Sequence, residues 1–482
     1  MSLQFITGGS GAGKSEYLSR LVCEESVRRP HDNFIVVVPE QYTMETQKKL
    51  VHMHSRKGIL NIDVVSFERL AYKVFEELGG GNRPVLDDTG KNLIVRRVLE
   101  KEKKKLDYFG SSIEKTGFVS ELKSVISELL QYGITPQQLG EIGENVKEKQ
   151  QLSAKLKDIR LVYKEFMAFL STNYITSEEI LDVLCGLVEK SKLIAGSEII
   201  FDGFTGFTPI QYKLMRLLLV YSKGIKISVT IDKKERPTGH ESWNNLFFMS
   251  KEMMNRLIAI CEEEGINVDD TVCVDRDINY RYEGAKDLAY LERNLFRYKG
   301  GVYTGTPENI RIYEGSNPKE ELQYIVSEIL QLTRKEGFRY RDIAVVTADL
   351  ETYGKVAANM MKQNDIPAFL DYKRSVAANP YVEMLCSALE IVEKGYPYDT
   401  MFRYLRTGLT GISRHDIDML ENYCLAVGIR GSRAWHEPWK KKMKRSTYQP
   451  ELETLNALRE QIMAPFLNLE AVLKDKEANV RA

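Results

Sequence analysis

Residues Gly8-Gly9-Ser10-Gly11-Ala12-Gly13-Lys14-Ser15 match the pattern G-x-x-x-x-G-K-[ST]. This constrains the fold more than any other feature of the chain. The pattern works only when a strand delivers the loop and a helix leaves it. The glycines then let successive backbone N–H groups turn inward around phosphate oxygens, and the helix N-terminus adds positive potential. In that setting Lys14 reaches the β and γ phosphates and the Ser15 hydroxyl ligates Mg²⁺. The bland alternative is a glycine turn that holds nothing. The flanks favour the phosphate loop, since Phe5-Ile6-Thr7 reads as a short strand and a helix is predicted from about Lys14.

The segments that follow continue an α/β alternation. Phe34 to Val38 is a continuous apolar run, as in a strand buried on both faces of a parallel sheet. Asp63 to Val65, Ile199 to Phe201 and Ile225 to Ile231 read as further strands. Between the third and fourth strands lies a long helical stretch, about 87–191. There Leu122, Val125, Ile126, Leu129 and Leu130 share one helical face. Leu152, Leu156, Ile159, Tyr163, Phe166 and Leu170 step by four and three, which is a seam for packing another helix.

A Gly/Pro-containing linker, Gly300 to Pro307, precedes a second α/β pattern. Its predicted strands are Ile310 to Tyr313 and Ile343 to Val346, with a helix starting at Pro318 and led by Glu320 and Glu321. From about Pro380 the pattern is helical to the end. These boundaries predict a first α/β domain from 1–86 and 192–300, a helical insertion at 87–191, a second α/β domain beginning at 307–380, and helices at 381–482.

The chain has 482 residues, with 68 Lys plus Arg balanced by 68 Asp plus Glu. Zero net charge supplies no global attraction for nucleic acid, so any such surface is local. The six cysteines are scattered and suggest neither a disulfide framework nor a zinc site; buried reduced thiols are the expectation. His52 and His54 are too isolated to argue a metal site. No apolar run is long enough to span a bilayer, and Met1 leads almost directly into a strand, so no membrane partner, no signal peptide and a cytoplasmic location are expected.

A motor ATPase needs a second acidic motif at the end of a later strand. Ile199-Ile200-Phe201-Asp202-Gly203 is the candidate. Asp202 suits a Mg²⁺ neighbour or a loop cap, while Gly203 stands where a water-activating Glu is common. Three strand-end segments mix aromatic rings with hydrogen-bonding groups: Pro39 to Thr43, Ser66 to Tyr72, and Phe204 to Gln211. Rings stack on bases and polar groups meet base edges or phosphates, although each segment alone is more often packing and capping. Two basic runs, Lys101 to Lys105 and Lys440 to Arg445, read as solvated faces or as phosphate contacts.

Taken together, these segments resemble a known family. The signature runs V-V-P-E-Q-x-T at Val37 to Thr43, V-S-F-x-R-L-A at Val65 to Ala71, and F-D-G-F-T-x-F-T-P-x-Q at Phe201 to Gln211. It continues with D-I-A-V-V-T at Asp342 to Thr347, I-P-x-F-L-D at Ile366 to Asp371, and L-E-N-Y-x-L-A-x-G-I-R-G at Leu420 to Gly431. The combination resembles the AddB family, the B subunits of bacterial ATP-dependent helicase/deoxyribonucleases. The resemblance implies a RecA-like P-loop motor domain of UvrD type with an all-helical insertion. A second, incomplete RecA-like domain with its own helical insertion would follow.

The resemblance also implies ATP and Mg²⁺ as cofactors, an AddA helicase-nuclease subunit as heterodimer partner, and single-stranded DNA and duplex ends as substrates in double-strand break repair. A nuclease domain and a four-cysteine 4Fe-4S cluster would lie beyond residue 482. Family loops that read a recombination hotspot correspond to Gln41 and Thr43, then Phe67, Arg69 and Tyr72, then Phe207. Gly203 departs from a working motor. So does Val345 to Asp349, which lacks the expected Arg, and both departures imply a DNA-reading scaffold with weak or no ATP turnover. The rival reading is an autonomous ATP-driven helicase or a kinase-like enzyme. The absent Glu argues against the first and the second α/β pattern against the second.

Overall fold

The computed structural model describes all residues except 80–83, 114, 116, 147–148, 177–178, 236–241, 298–300, 371–375, 444–449 and 475–482. It divides into two compact units, Met1–Ile312 and Tyr313–Ala482.

The first unit opens with β1 (Ser2–Gly8), α1 (Lys14–Arg28), β2 (Asn33–Val37), α2 (Thr43–Met53), β3 (Ile62–Val65) and α3 (Phe67–Leu78). A helical stretch follows. It begins at the short strand β4 (Val85–Leu86), runs through α4 (Asp88–Glu102), α5 (Phe118–Gln131), α6 (Pro136–Asn145) and α7 (Gln150–Asn173), and closes at β5 (Ile175–Thr176), which pairs with β4. The chain returns through α8 (Ile180–Cys185) and α9 (Lys192–Ala195) to β6 (Ser197–Phe201), α10 (Pro209–Tyr221), β7 (Gly224–Thr230) and α11 (Phe248–Glu264). The short strands β8 (Asn267–Val268) and β9 (Val272–Cys273) and the helix α12 (Lys286–Asn294) end the unit.

The main sheet is seven-stranded and parallel, in the order β3-β2-β6-β7-β1-β8, with β9 also pairing to β1. Its central strands carry apolar side chains on both faces. In β2, Phe34, Ile35, Val36 and Val37 are all buried; in β6, Ile199, Ile200 and Phe201 are. Helices therefore cover both sides. One layer packs Leu70, Val74, Leu214, Leu218 and Leu257 against the sheet, and the other packs Leu18, Val22 and Leu50. All strands point the same way, so every βα loop emerges at one edge, where open α/β sheets hold ligands.

The helical stretch has its own core of Val95, Leu99, Leu122, Ile126, Tyr163, Phe166 and Leu170. The seam of α7 is buried in its second half, whereas Leu152 at its start is exposed. The basic run 101–105 is an ion-paired surface. Lys101 meets Glu165, and Lys105 meets the buried Glu102.

The second unit contains α13 (Pro318–Lys335), α14 (Leu350–Gln363), α15 (Pro380–Lys394), α16 (Tyr398–Leu405), α17 (Arg414–Val427), α18 (Ser432–His436) and α19 (Leu452–Lys474). Asn317 caps α13 by accepting from the Glu320 N–H, with Pro318 at its first position. Trp435 and Trp439 lie in the core of α15–α19, so they flank the second basic run without offering rings at the surface. Lys444 and Arg445 of that run lie outside the described residues, as does Asp371 of the I-P-x-F-L-D segment.

Two predicted strands are corrected. Neither Ile310 to Tyr313 nor Ile343 to Val346 forms a strand. A strand needs a hydrogen-bonded neighbour and cover for its apolar faces. Among the described residues these segments join neither sheet, and Ile312 and Val346 are 95% and 91% exposed. A second correction concerns the cysteines. Cys23, Cys185, Cys261 and Cys424 are buried free thiols, but Cys273 and Cys386 are exposed.

Glu198 on β6 is buried, and its carboxylate binds Lys226 of β7 and Arg29 after α1, the latter at 2.6 Å. Burial alone would raise its pKa; the hydrogen bonds from Lys226 and Arg29 outweigh that and hold it below the usual carboxylate range. A depressed carboxylate stabilises the fold above its unfolded pKa and loses that contribution as pH falls through the folded value. Glu198→Gln should therefore lower stability at pH 7 by about 1–3 kcal/mol. Urea titrations should show the gap to wild type closing below about pH 4.

Candidate nucleotide and nucleic-acid site

The phosphate loop sits at the sheet's ligand edge, between β1 and α1. Gly11 and Gly13 have φ of +70° and +95°, a region that favours glycine, and Gly13 is the N-cap of α1. Gly8, Gly9 and Ala12 are buried, Ser10 is partly buried and Ser15 is exposed. Lys14 folds back along the loop, and its Nζ donates to Gly8 O at 2.9 Å and Gly9 O at 2.8 Å. Burial pulls the Lys14 pKa below the usual lysine value, against Asp202, Asp275 and Glu292, which favour the charged form. Among the described residues the ammonium's hydrogen-bond partners are these two neutral carbonyls.

Asp202 leaves β6, which is separated from β1 by β7 alone. Its Oδ1 accepts from Ser228 Oγ at 2.5 Å, and its charge reaches Lys14. Gly203 follows at φ +84°, against Pro39. A glutamate there would be strained by the backbone itself, so the missing carboxylate has a conformational reason.

A third component was not singled out from sequence. The segment Asp275 to Tyr282 lies along the loop's outer rim. Asp275 Oδ1 accepts from the Gly9 N–H at 2.7 Å, Asn279 donates to Ser10 O at 3.3 Å, and the Arg281 N–H donates to Gly11 O at 3.3 Å. The Tyr280 ring would lie 3.4 Å from a Cβ on Gly13, and the Arg276 guanidinium stacks on that ring at 3.5 Å. Glu292 of α12 lies near Gly9, and burial raises its pKa, with Asp232 and Asp275 adding to the effect. The available sequence signal was the alternation of charged and aromatic residues in Asp275 to Tyr282, which fits no short motif.

The strand-end segments also meet at this edge. Glu40, before α2, pairs with Arg69 of α3 at 2.8 Å and ties the β2 loop to the β3 loop. Ser66 caps α3 by accepting from the Arg69 N–H. Phe67 joins the third loop through Phe204 and Phe207, with ring centroids 5.3 and 6.0 Å away, and touches Phe201 beneath. The six candidate DNA contacts nevertheless differ in access. Gln41, Arg69 and Tyr72 are exposed and Phe207 is partly buried. Phe67 is only 8% exposed because its ring completes the aromatic cluster over Phe201. Thr43 is buried, and its hydroxyl donates to Glu40 O at the start of α2. As folded here, these two buried side chains position the loops rather than present themselves to a ligand. Two exposed side chains lie beside them: Tyr42, the ring of the Pro39 to Thr43 segment, and Met44, which carried no expectation from sequence.

The histidines carry no metal argument. His54 is buried, with Ser26 Oγ 3.2 Å from its Nε2 and the Arg56 N–H 3.2 Å from its Nδ1. Among the described residues no group of three His, Cys, Asp or Glu side chains could hold a metal, and no helix is long and apolar enough to cross a membrane.

Comparison with known proteins supplies the family. A model of the N-terminal region of AddB matches residues 5–292. This chain belongs to the AddB family. The B subunit of an ATP-dependent helicase/deoxyribonuclease from Lachnoclostridium phytofermentans is 41% identical over 484 aligned residues, covering 100% of this chain and 42% of the relative. Proteins of the same name from Caldanaerobacter subterraneus and Symbiobacterium thermophilum are each 36% identical, covering 97% and 98% of this chain and 40% and 42% of the relatives. The chain thus spans about two-fifths of the length of these AddB relatives.

The difference in access gives a test. Phe67→Ala should destabilise the first unit by about 3–5 kcal/mol, as for a buried aromatic. Tyr72→Ala, at an exposed ring, should change stability by about 0.5 kcal/mol or less. Chemical denaturation of both variants measures the contrast.

Proposed function

We propose that this chain is the nucleotide-binding, DNA-gripping N-terminal part of an AddB subunit that acts in the resection of broken duplex ends. The observation that carries the reading is the phosphate loop. Its two left-handed glycines and its carbonyl-held Lys14 lie at the same sheet edge as Asp202 and three linked strand-end loops. Backbone N–H groups of Gly11 to Ser15 would hold the phosphates of ATP, Lys14 would leave its carbonyl partners to meet the β and γ oxygens, and Ser15 with Asp202 would hold Mg²⁺. This donor set suits a nucleoside triphosphate.

Turnover by this unit is expected to be slow or absent, because Gly203 supplies no carboxylate and its backbone disfavours one. Gln41, Arg69, Tyr72 and Phe207 are the candidate contacts to the single strand, and Thr43 and Phe67 are their supports. Arg69 would exchange Glu40 for phosphate or base. The relatives' names describe ATP-dependent helicase/deoxyribonucleases with more than one subunit, which supports a multisubunit assembly on DNA. In that assembly an AddA subunit would drive translocation. Hotspot reading by the strand-end loops, and a nuclease with its 4Fe-4S cluster in later sequence, complete the proposal.

The test uses the full-length protein. Lys14→Ala should weaken Mg·ATP binding about 100-fold in calorimetric titrations, since it deletes a charge facing the phosphates. Tyr72→Ala should leave ATP binding unchanged and weaken single-strand binding by about 1–3 kcal/mol. Equal ATP affinity with and without the lysine contradicts the nucleotide reading.

A further inference from the structure

The segment on the rim of the phosphate loop contains an exposed arginine, Arg281. Arg281 follows β9, the edge strand paired to β1. Its own backbone holds it against the loop, because its N–H donates to Gly11 O at 3.3 Å. The approach is close enough that a Cβ on Gly11 would stand 2.5 Å from the Arg281 Cβ. Gly11 is therefore required twice, once for its left-handed backbone and once for the seat of this residue.

Many arginines of the first unit have a partner for their charge. Arg29, Arg69, Arg216, Arg256 and Arg297 each meet a carboxylate. Arg276, five residues before Arg281, stacks on Tyr280 and reaches Glu283 at 3.5 Å. Arg281 is exposed, and among the described residues its guanidinium makes no ion pair and no hydrogen bond. Acidic groups are close by, yet each has other partners. Asp275 accepts from the N–H groups of Gly9 and Lys233, and Asp277 pairs with Lys233.

We propose that Arg281 is a phosphate-binding residue of the nucleotide site, held on Gly11 so that its guanidinium meets the terminal phosphates of a nucleoside triphosphate beside Lys14. The inference rests on the nucleotide reading above and adds a second cation to it. Lys14 is the loop residue that addresses the β and γ phosphates. Lys14 Nζ donates to Gly8 O and Gly9 O, and the Arg281 N–H donates to Gly11 O, so the two cationic residues adjoin the same loop. Two neighbouring like charges repel until an anion is placed with them. A planar guanidinium suits that anion, since its fork of N–H donors matches phosphate oxygens. Tyr280, against Gly13 and under Arg276, closes the same wall and keeps the segment seated.

The experiment compares ATP and ADP affinities of the full-length protein by titrating fluorescently labelled nucleotides with Mg²⁺. Wild type, Arg281→Ala, Arg281→Lys and Lys14→Ala are measured, with thermal melting to verify folding. Arg281→Ala should weaken ATP about tenfold or more and ADP distinctly less, with Arg281→Lys between it and wild type. Wild type that binds ATP, loses it with Lys14→Ala, and keeps it unchanged in Arg281→Ala overturns this inference alone. So does an equal loss of ATP and ADP in both Arg281 variants. Wild type that binds neither nucleotide overturns the nucleotide reading itself.

Discussion

The backbone of the phosphate loop is the constraint on which the rest of the first unit depends. Gly11 and Gly13 hold φ values that side-chain-bearing residues rarely adopt, and neighbours must fix a backbone as free as glycine's. Three elements do so. β1 delivers the loop from a parallel sheet, between β7 and the short edge strands β8 and β9, α1 carries it away, and the rim segment Asp275 to Arg281 hydrogen-bonds Gly9, Ser10 and Gly11 from outside. The loop is thus set before any ligand arrives. Preorganisation of this kind lets backbone N–H groups bind an anion without first being ordered.

The same parallel sheet explains why chemistry from distant sequence converges. β2, β3 and β6 end at the edge where the phosphate loop begins, so Glu40, Arg69 and Phe207 become neighbours despite their separation along the chain. The aromatic cluster of Phe67, Phe201, Phe204 and Phe207 spans core and surface. Its lower rings seal the sheet and its upper rings tie the loops. Nucleotide and strand would therefore occupy adjoining parts of one rigid edge, with Asp202 and Gly203 leading from one to the other.

Much of this was legible in the sequence, and the failures have physical causes. β2 and β6 are buried on both faces and read plainly because few polar residues interrupt them, while β1, β3 and β7 carry shorter apolar stretches among polar residues. Ile310 to Tyr313 and Ile343 to Val346 look alike by composition but lack paired neighbours, and composition cannot reveal pairing. Phe67 and Tyr72 are both aromatic residues of α3. Only the helical phase, which turns Phe67 onto Phe201 and Tyr72 toward solvent, separates support from contact. The rim segment was missed because Asp275, Asn279 and Arg281 bond the loop's main chain from more than 260 residues away, at a spacing that matches no short motif.

The central claim is that the phosphate loop and its rim form one nucleotide site. Hydrogen–deuterium exchange of the full-length protein, with and without saturating Mg·ATP, tests it most directly. The account predicts slower exchange at residues 8–15 and, in the same experiment, at residues 275–282. Unchanged exchange at residues 8–15 in the presence of ATP, or protection confined to segments away from both, would contradict it.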